Sequence, residues 1–448
     1  MKHLFLILAL ILTISASLPK KREVHESSLH QLWKMEIGFT SYRTIPAVVD
    51  QKIHIGSNGS HFRDYALDDG NGVFSLYAKS GKIATTFANE QFGDMDVNGI
   101  LRLKDALYFG NDNDEFICTD KQGKFKWRVH TSGDIEHRPV SIQSEGQEMV
   151  VFATETGQVS ALNVKTGKEI WMFYHKDFDA WKPGDNRVLF KVKMHFTEGN
   201  IFFNEPSLAD LTGDGVKDLV YNTNWGDFTA INGKTGKLLW DLDGNDFPDY
   251  YLNMGREKPL IVGEGLKSQI LLLVREKEEY VKQSIAFFNP KGKLVKIIPT
   301  EIPLGETMLS QTDGFIITNT AIIQPATLTD DVKIIPIEDA QFLNEDGVLT
   351  SCYSSGQVAQ KKVYYNGETC ALILYQYELK RYSGQSPLLL VGLNSGKVHF
   401  KTYLPDRSEF TPYISDFNQD GKLDVLIGCY DKYLYCFDLD IPSTLLID

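Results

Sequence analysis

Two nine-residue stretches carry the residue types and spacing of a hard-cation site. They are Asp210-Leu211-Thr212-Gly213-Asp214-Gly215-Val216-Lys217-Asp218 and Asp416-Phe417-Asn418-Gln419-Asp420-Gly421-Lys422-Leu423-Asp424. Each has oxygen-bearing side chains at positions 1, 3, 5 and 9 and Gly at position 6. Alternate oxygen donors let a tight loop converge on one cation, the Gly permits the sharp turn, and the carbonyl at position 7 adds a ligand. The expected ion is calcium, held by Asp210, Thr212, Asp214, Val216 and Asp218 in one loop and by Asp416, Asn418, Asp420, Lys422 and Asp424 in the other. Its expected role is structural, rigidifying a turn and tying folding to metal. Position 12 is Tyr221 or Ile427, where a helix–loop–helix calcium site needs a bidentate Glu, and both loops run on into strand-like segments. The competing reading is a pair of acidic β-turns that hold no ion.

A second acidic set comprises Asp94, Asp96, Asp134, Glu136, His137, Asn204 and Glu205. Convergent carboxylates with one His can bind a cation or sugar hydroxyls, or act as acid and base. The plainer expectation is solvated polar residues around a wet channel. Trp181 and His195 lie in a long insertion, residues 172–199, which suits recognition on a rigid scaffold. The stretch 64–72, with Asp68-Asp69-Gly70-Asn71-Gly72, reads as a loose polar turn.

The elements that would position these groups are short strands in a repeat. One phrase recurs at Ser80-Gly81-Lys82, Gln122-Gly123-Lys124, Thr166-Gly167-Lys168, Thr235-Gly236-Lys237, Lys291-Gly292-Lys293 and Ser395-Gly396-Lys397. Four copies carry an aromatic residue four positions after the Gly: Trp127, Trp171, Trp240 and Phe400. Subtraction gives Gly-to-Gly spacings of 42, 44, 69, 56 and 104, so the last interval holds two units, one of them degenerate. Strand-sized apolar segments between Gly-containing turns, with no sustained helical period, make the chain all-β. Four-strand units of this length predict a single β-propeller of eight four-stranded blades, or seven if residues 301–357 are one insertion. Gln31-Leu32-Trp33-Lys34 lacks a unit of its own, and the last unit stops short of its outer strand. The N-terminal strand is therefore expected to complete the final blade, residues 31–440 being propeller and 441–448 a tail. The two Asp-rich loops then fall in blades four and eight.

The segment Ala161-Leu162-Asn163-Val164-Lys165-Thr166-Gly167-Lys168-Glu169-Ile170-Trp171, echoed at Ala230–Trp240, resembles the repeat of PQQ-like, quinoprotein-type β-propellers. That resemblance implies that Trp127, Trp171 and Trp240 pack between neighbouring blades. The two Asp-rich loops resemble the calcium loops of FG-GAP and VCBS propeller repeats, with Thr212 the weakest match.

Composition narrows the function. Lys and Arg number 46 against 59 Asp and Glu, a net charge of -13, so no general positive field would gather a nucleic acid. Lys2 and His3, an apolar run from Leu4 to Ile14 and the small residues Ser15-Ala16-Ser17 predict a signal peptide over residues 1–17, with a linker over 18–30. The expected location is secreted or extracellular, or periplasmic in a Gram-negative host, and no later run is apolar enough to span a membrane. Asn58-Gly59-Ser60 is the one N-glycosylation sequon. The five cysteines form no C-x-x-C motif; Cys429 with Cys436 and Cys352 with Cys370 are possible disulfides, and buried thiols the alternative. Two functions follow. One is a non-catalytic calcium-binding scaffold for an extracellular or luminal protein or glycan. The other, implied by the resemblance, is a quinoprotein dehydrogenase using PQQ and calcium; against it, no two cysteines are adjacent and no G-x-S-x-G or H-E-x-x-H motif is present.

Overall fold

A computed structural model describes residues 29–60, 70–87, 95–178, 202, 204–223, 227–243, 247, 250–252, 259–276, 282–303, 310–312, 315–324, 333–338, 340–343, 349–353, 356–379 and 384–447. The signal-peptide expectation, Asp94, Trp181, His195, residues 179–200 and most of the 64–72 stretch lie outside the described residues. Eight antiparallel sheets form a ring of blades, and no helix is long and apolar enough to cross a membrane among the described residues.

Blade three shows the plan. Val140–Ser144, Gln147–Ala153, Gln158–Asn163 and Glu169–Tyr174 pair in consecutive order. The two middle strands are mostly buried and the fourth is mostly half-buried, with its two end residues exposed. The short apolar runs read in the sequence are therefore the middle strands, which need apolar side chains on both faces because a blade packs on each side. Blade six, built from Ser310–Thr312, Phe315–Ile317, Ala321–Gln324 and Lys333–Pro336, is the degenerate unit and settles the count at eight. A separate hairpin, Gln341–Leu343 with Leu349–Ser351, follows it.

The ring closes as expected: His30–Glu36 pairs with Tyr433–Pro442, placing Trp33 opposite Cys436. The segment 441–448, expected as a tail, adds a second tie. Leu446–Ile447 pairs with Lys362–Tyr365 of blade seven, so the chain end bridges the last two blades.

A one-residue bulge recurs where the third strand meets the fourth. Ala161 faces Trp171 while Leu162 faces Glu169, so Ile170 is the extra residue. The same shift makes Lys126, Leu239 and His399 extra in blades two, four and seven. In each case the residue just after the bulge is the aromatic one of the repeated phrase. The indoles then reach the next blade: Trp33 donates to the Ala78 carbonyl at 3.0 Å, Trp127 to Val164 at 3.3 Å, Trp171 to Gly233 at 3.0 Å and Trp240 to Pro290 at 2.9 Å. The tryptophans thus wedge blade against blade; Trp171 is buried and Trp127 and Trp240 partly so.

All five cysteines are buried free thiols. Cys429 bonds through its backbone to Tyr433, while Cys436 faces Leu426, so the possible pair Cys429–Cys436 is out of register across its hairpin. Cys352 and Cys370 sit in different core clusters.

Candidate functional site

In a four-strand meander alternate connections emerge at the same end. One face of the disc therefore carries the first-to-second loops, including both Asp-rich loops, and the Gly–Lys turns. The opposite face carries the second-to-third loops and the crossings between blades, including Asp96, Asp134, Glu136, His137, Asn204 and Glu205. The two acidic sets read from the sequence lie on opposite faces.

Both Asp-rich loops are folded by their own amides. Asp210 accepts from the backbone N–H of Gly213 at 2.7 Å, Asp214 at 3.1 Å and Gly215 at 3.0 Å, and Asp214 accepts from Val216 at 2.9 Å. Asp416 accepts from Asp420 and Gly421, Asn418 from Asp420, and Asp420 from Lys422 and the Asn418 amide. This is why an Asp at position 1 and a Gly at position 6 recur: the carboxylate needs amides turned inward, and Gly215 and Gly421 reach that turn at φ +83° and +89°.

The ninth positions differ. Asp218 accepts from Leu211 N at 2.8 Å, Thr212 N at 3.1 Å, Asn232 Nδ2 at 3.1 Å and Gly233 N at 3.0 Å. These fill the roughly four lone-pair sites of a carboxylate, so Asp218 pins its loop to the Gly–Lys turn of the same blade instead of facing an ion. Burial pushes its pKa up against the pull of those bonds. Asp424 accepts only from Phe417 N at 2.8 Å and Asn418 N at 3.3 Å, through one oxygen, and its Oδ1 is buried with no hydrogen-bond partner. Burial raises its pKa to about 6. An orphaned carboxylate oxygen beside Asp416, Asn418 and Asp420 fits a divalent oxygen-seeking cation, and the blade-eight loop is the better match of the two.

The central set is largely paired. Arg43 lies 2.5 Å from Glu136, which also accepts from Asn98 Nδ2 at 3.1 Å. Arg138 grips Glu205 with two bonds, 3.2 Å from Nε and 2.8 Å from an Nη. His137 turns Nδ1 to the Arg138 carbonyl at 2.8 Å and packs 6.1 Å from the ring of Tyr221. Its Nε2 and the Tyr221 hydroxyl have no hydrogen-bond partner, and burial lowers the His137 pKa to about 4. The structure brings Asp96, Asp134, Glu136, His137, Asn204 and Glu205 to one end of the disc, all but Glu205 buried, with Glu136 and Glu205 compensated by arginines. The sequence reading missed Arg43, Arg138 and Tyr221. Arg138 was visible beside His137; Arg43 comes from the far end of the chain and had no local signal.

Sequence reading also missed a third group on this face. His175, Asp177 and Asp227 place three metal-capable atoms within 4.8 Å of one another, the one such trio among the described residues.

The fold and repeats define an eight-bladed β-propeller. Residues 31–243, just under half of the chain, match the family model described as outer membrane protein assembly factor BamB. No curated protein matches. Among solved structures, the chain is similar to quinohemoprotein alcohol dehydrogenase ADHIIG from Pseudomonas putida HK5, at 13% identity and TM-score 0.54, over 94% of this chain and 78% of that one. It is similar to BamB from Moraxella catarrhalis at 12% identity and TM-score 0.50, over 92% and 100% of the two chains. A europium-containing methanol dehydrogenase aligns at 13% identity and TM-score 0.50, over 94% and 95%. At these identities the likeness is one of fold.

Proposed function

We propose that the chain is a secreted, non-catalytic β-propeller scaffold that docks an extracellular or luminal protein or glycan and is stabilised by calcium. The observation that carries the reading is the Arg43–Glu136 and Arg138–Glu205 pairing. Two carboxylates of the central set, Glu136 and Glu205, are each held by an arginine, which favours a locked binding face over a proton-transfer site at those positions. The match of the first four blades to the BamB family model supports the same reading.

Calcium would be held in blade eight by Asp416, Asn418, Asp420 and Asp424 with the Lys422 carbonyl. In blade four it would be held by Asp210, Thr212 and Asp214 with the Val216 carbonyl, Asp218 serving as the pin. The ion would screen carboxylates crowded into each turn and so raise the cost of opening it.

Affinity capture from the native secreted milieu tests the scaffold reading: a stoichiometric protein or glycan partner is the expected result. The dehydrogenase reading is favoured by the fold of the two quinoprotein-type neighbours. It is tested by titrating PQQ with calcium present and following its absorbance; saturable one-to-one uptake would displace the scaffold reading.

A further inference from the structure

We propose that His175, Asp177 and Asp227 form a binding site for a divalent first-row transition metal, with zinc as the reference ion, and that the site staples blade three to blade four on the face opposite the Asp-rich loops. His175 and Asp177 belong to the crossing that leaves the outer strand of blade three, Glu169–Tyr174. Asp227 sits in the second-to-third loop of blade four, where Asp227 N donates to Thr223 Oγ1 at 3.0 Å. One ion bridging them would join the two blades.

Three observations converge. First, the three candidate ligand atoms lie within 4.8 Å of one another, although they come from two blades, with His175 and Asp227 52 positions apart in the chain. Second, His175 is 4% exposed, and its Nε2 has no hydrogen-bond partner. A buried imidazole nitrogen left unpaired costs free energy unless something occupies it. The ring is held upright by the edge of Phe202, 5.6 Å away, and by the His175 N–H bond to the Gly157 carbonyl at 2.9 Å. Third, the Asp177 carboxylate stands at ligand spacing. Asp177 Oδ2 is 3.5 Å from Nδ1, which also accepts the Asp177 backbone N–H at 3.2 Å; Asp241 Oδ1, 3.8 Å from Nε2, already accepts from the Thr229 hydroxyl at 2.7 Å and stands outside the ligand set. The Asp177 distance is long for a hydrogen bond but near the roughly 3.4 Å that separates two ligands bound about 2.0–2.1 Å from one tetrahedral ion.

The chemistry selects the ion. Imidazole with carboxylates suits zinc and its neighbours, whereas calcium and magnesium take oxygen. Three protein ligands leave one tetrahedral position for water or a group from a partner. Lys176 is the built-in competitor: its Nζ lies 3.1 Å from Asp241, 3.5 Å from Asp227 and 3.5 Å from Asp243. An arriving ion would take Asp227 from Lys176 and leave the ammonium to Asp241 and Asp243.

The test is zinc titration of chelator-stripped full-length protein against a competing zinc indicator. One saturable equivalent is expected, weakened by roughly a hundredfold in His175→Asn and in Asp227→Asn and tightened in Lys176→Met. Asp105→Asn, at an exposed turn of blade two on the other face, is expected to leave the titration unchanged. Cobalt substitution supplies a readout independent of stability, since tetrahedral coordination gives visible d–d absorption that both ligand variants should lose. The proposal is overturned if neither the wild type nor Lys176→Met takes up zinc saturably, or if uptake and the cobalt spectrum survive in both ligand variants.

Discussion

The indole of Trp171 lies over Gly236 of the next blade, with its N–H bonded to the Gly233 carbonyl at 3.0 Å. A Cβ on Gly236 would come within 2.6 Å of the Trp171 ring, and the residue holds φ +69°, so only Gly fits there. Trp171→Ala should cost about 3–5 kcal/mol and Gly236→Ala about 1–3 kcal/mol, measured by urea unfolding. Trp171→Phe, which keeps the packing but loses the bond, should cost about 1 kcal/mol. Equal stability of all four proteins would remove the wedge from the account of blade packing.

Calcium should stabilise the fold. At a free concentration about 100 times its dissociation constant an ion contributes about 2.7 kcal/mol, so EDTA is expected to lower Tm. Asp214→Ala combined with Asp420→Ala should abolish that shift. Identical melting with and without EDTA would sink the calcium assignment.

Acid should weaken the fold through buried histidines. Burial lowers the pKa of His137 to about 4, and burial, with help from Lys52 and Arg102, does the same to His54. Each folded value lies below the ordinary 6.5, so the unfolded chain binds the proton more readily across that window. Their contribution is complete above about pH 6.5 and is lost as the pH falls towards 4, by roughly 3 kcal/mol per histidine. His137→Gln should flatten the unfolding free energy between pH 7 and pH 5 relative to wild type; an unchanged slope would mean that His137 is charged in the fold.

Breaking the arginine clamp should be costly on one side only. Glu205→Gln leaves the Arg138 charge largely buried without its counter-ion and should destabilise by about 3–5 kcal/mol. Arg138→Met with Glu205→Leu should recover most of that loss in a double-mutant cycle. A double variant as unstable as the single would show that the pair does more than neutralise charge.

Much of the fold was legible because a propeller writes itself periodically. The Gly–Lys phrase, the aromatic four residues on and the unpaired Trp33 strand each report a local need: a turn, a wedge, an open edge. Blade six escaped the phrase and was recovered only from spacing. The bulges at Lys126, Ile170, Leu239 and His399 were not legible, because nothing in those side chains marks an extra residue in a strand. The loops were found from their spacing, yet the different fates of Asp218 and Asp424 depend on what lies across the blade: Asn232 and Gly233 in one case, and no donor to Asp424 Oδ1 in the other.

By itself the sequence determined the all-β class, the repeating four-strand unit, the closing strand and the residues with the grammar of a cation loop, since each depends on neighbours within a few dozen positions; the count of eight rather than seven came from the structure. Tertiary structure alone decided which face each acidic set occupies, that Arg43 and Arg138 neutralise Glu136 and Glu205, and that His175 and Asp177 meet Asp227 across a blade boundary. The physical reason is that charge pairing and metal geometry act over a few ångströms of space, and the ring brings together groups that the chain keeps far apart.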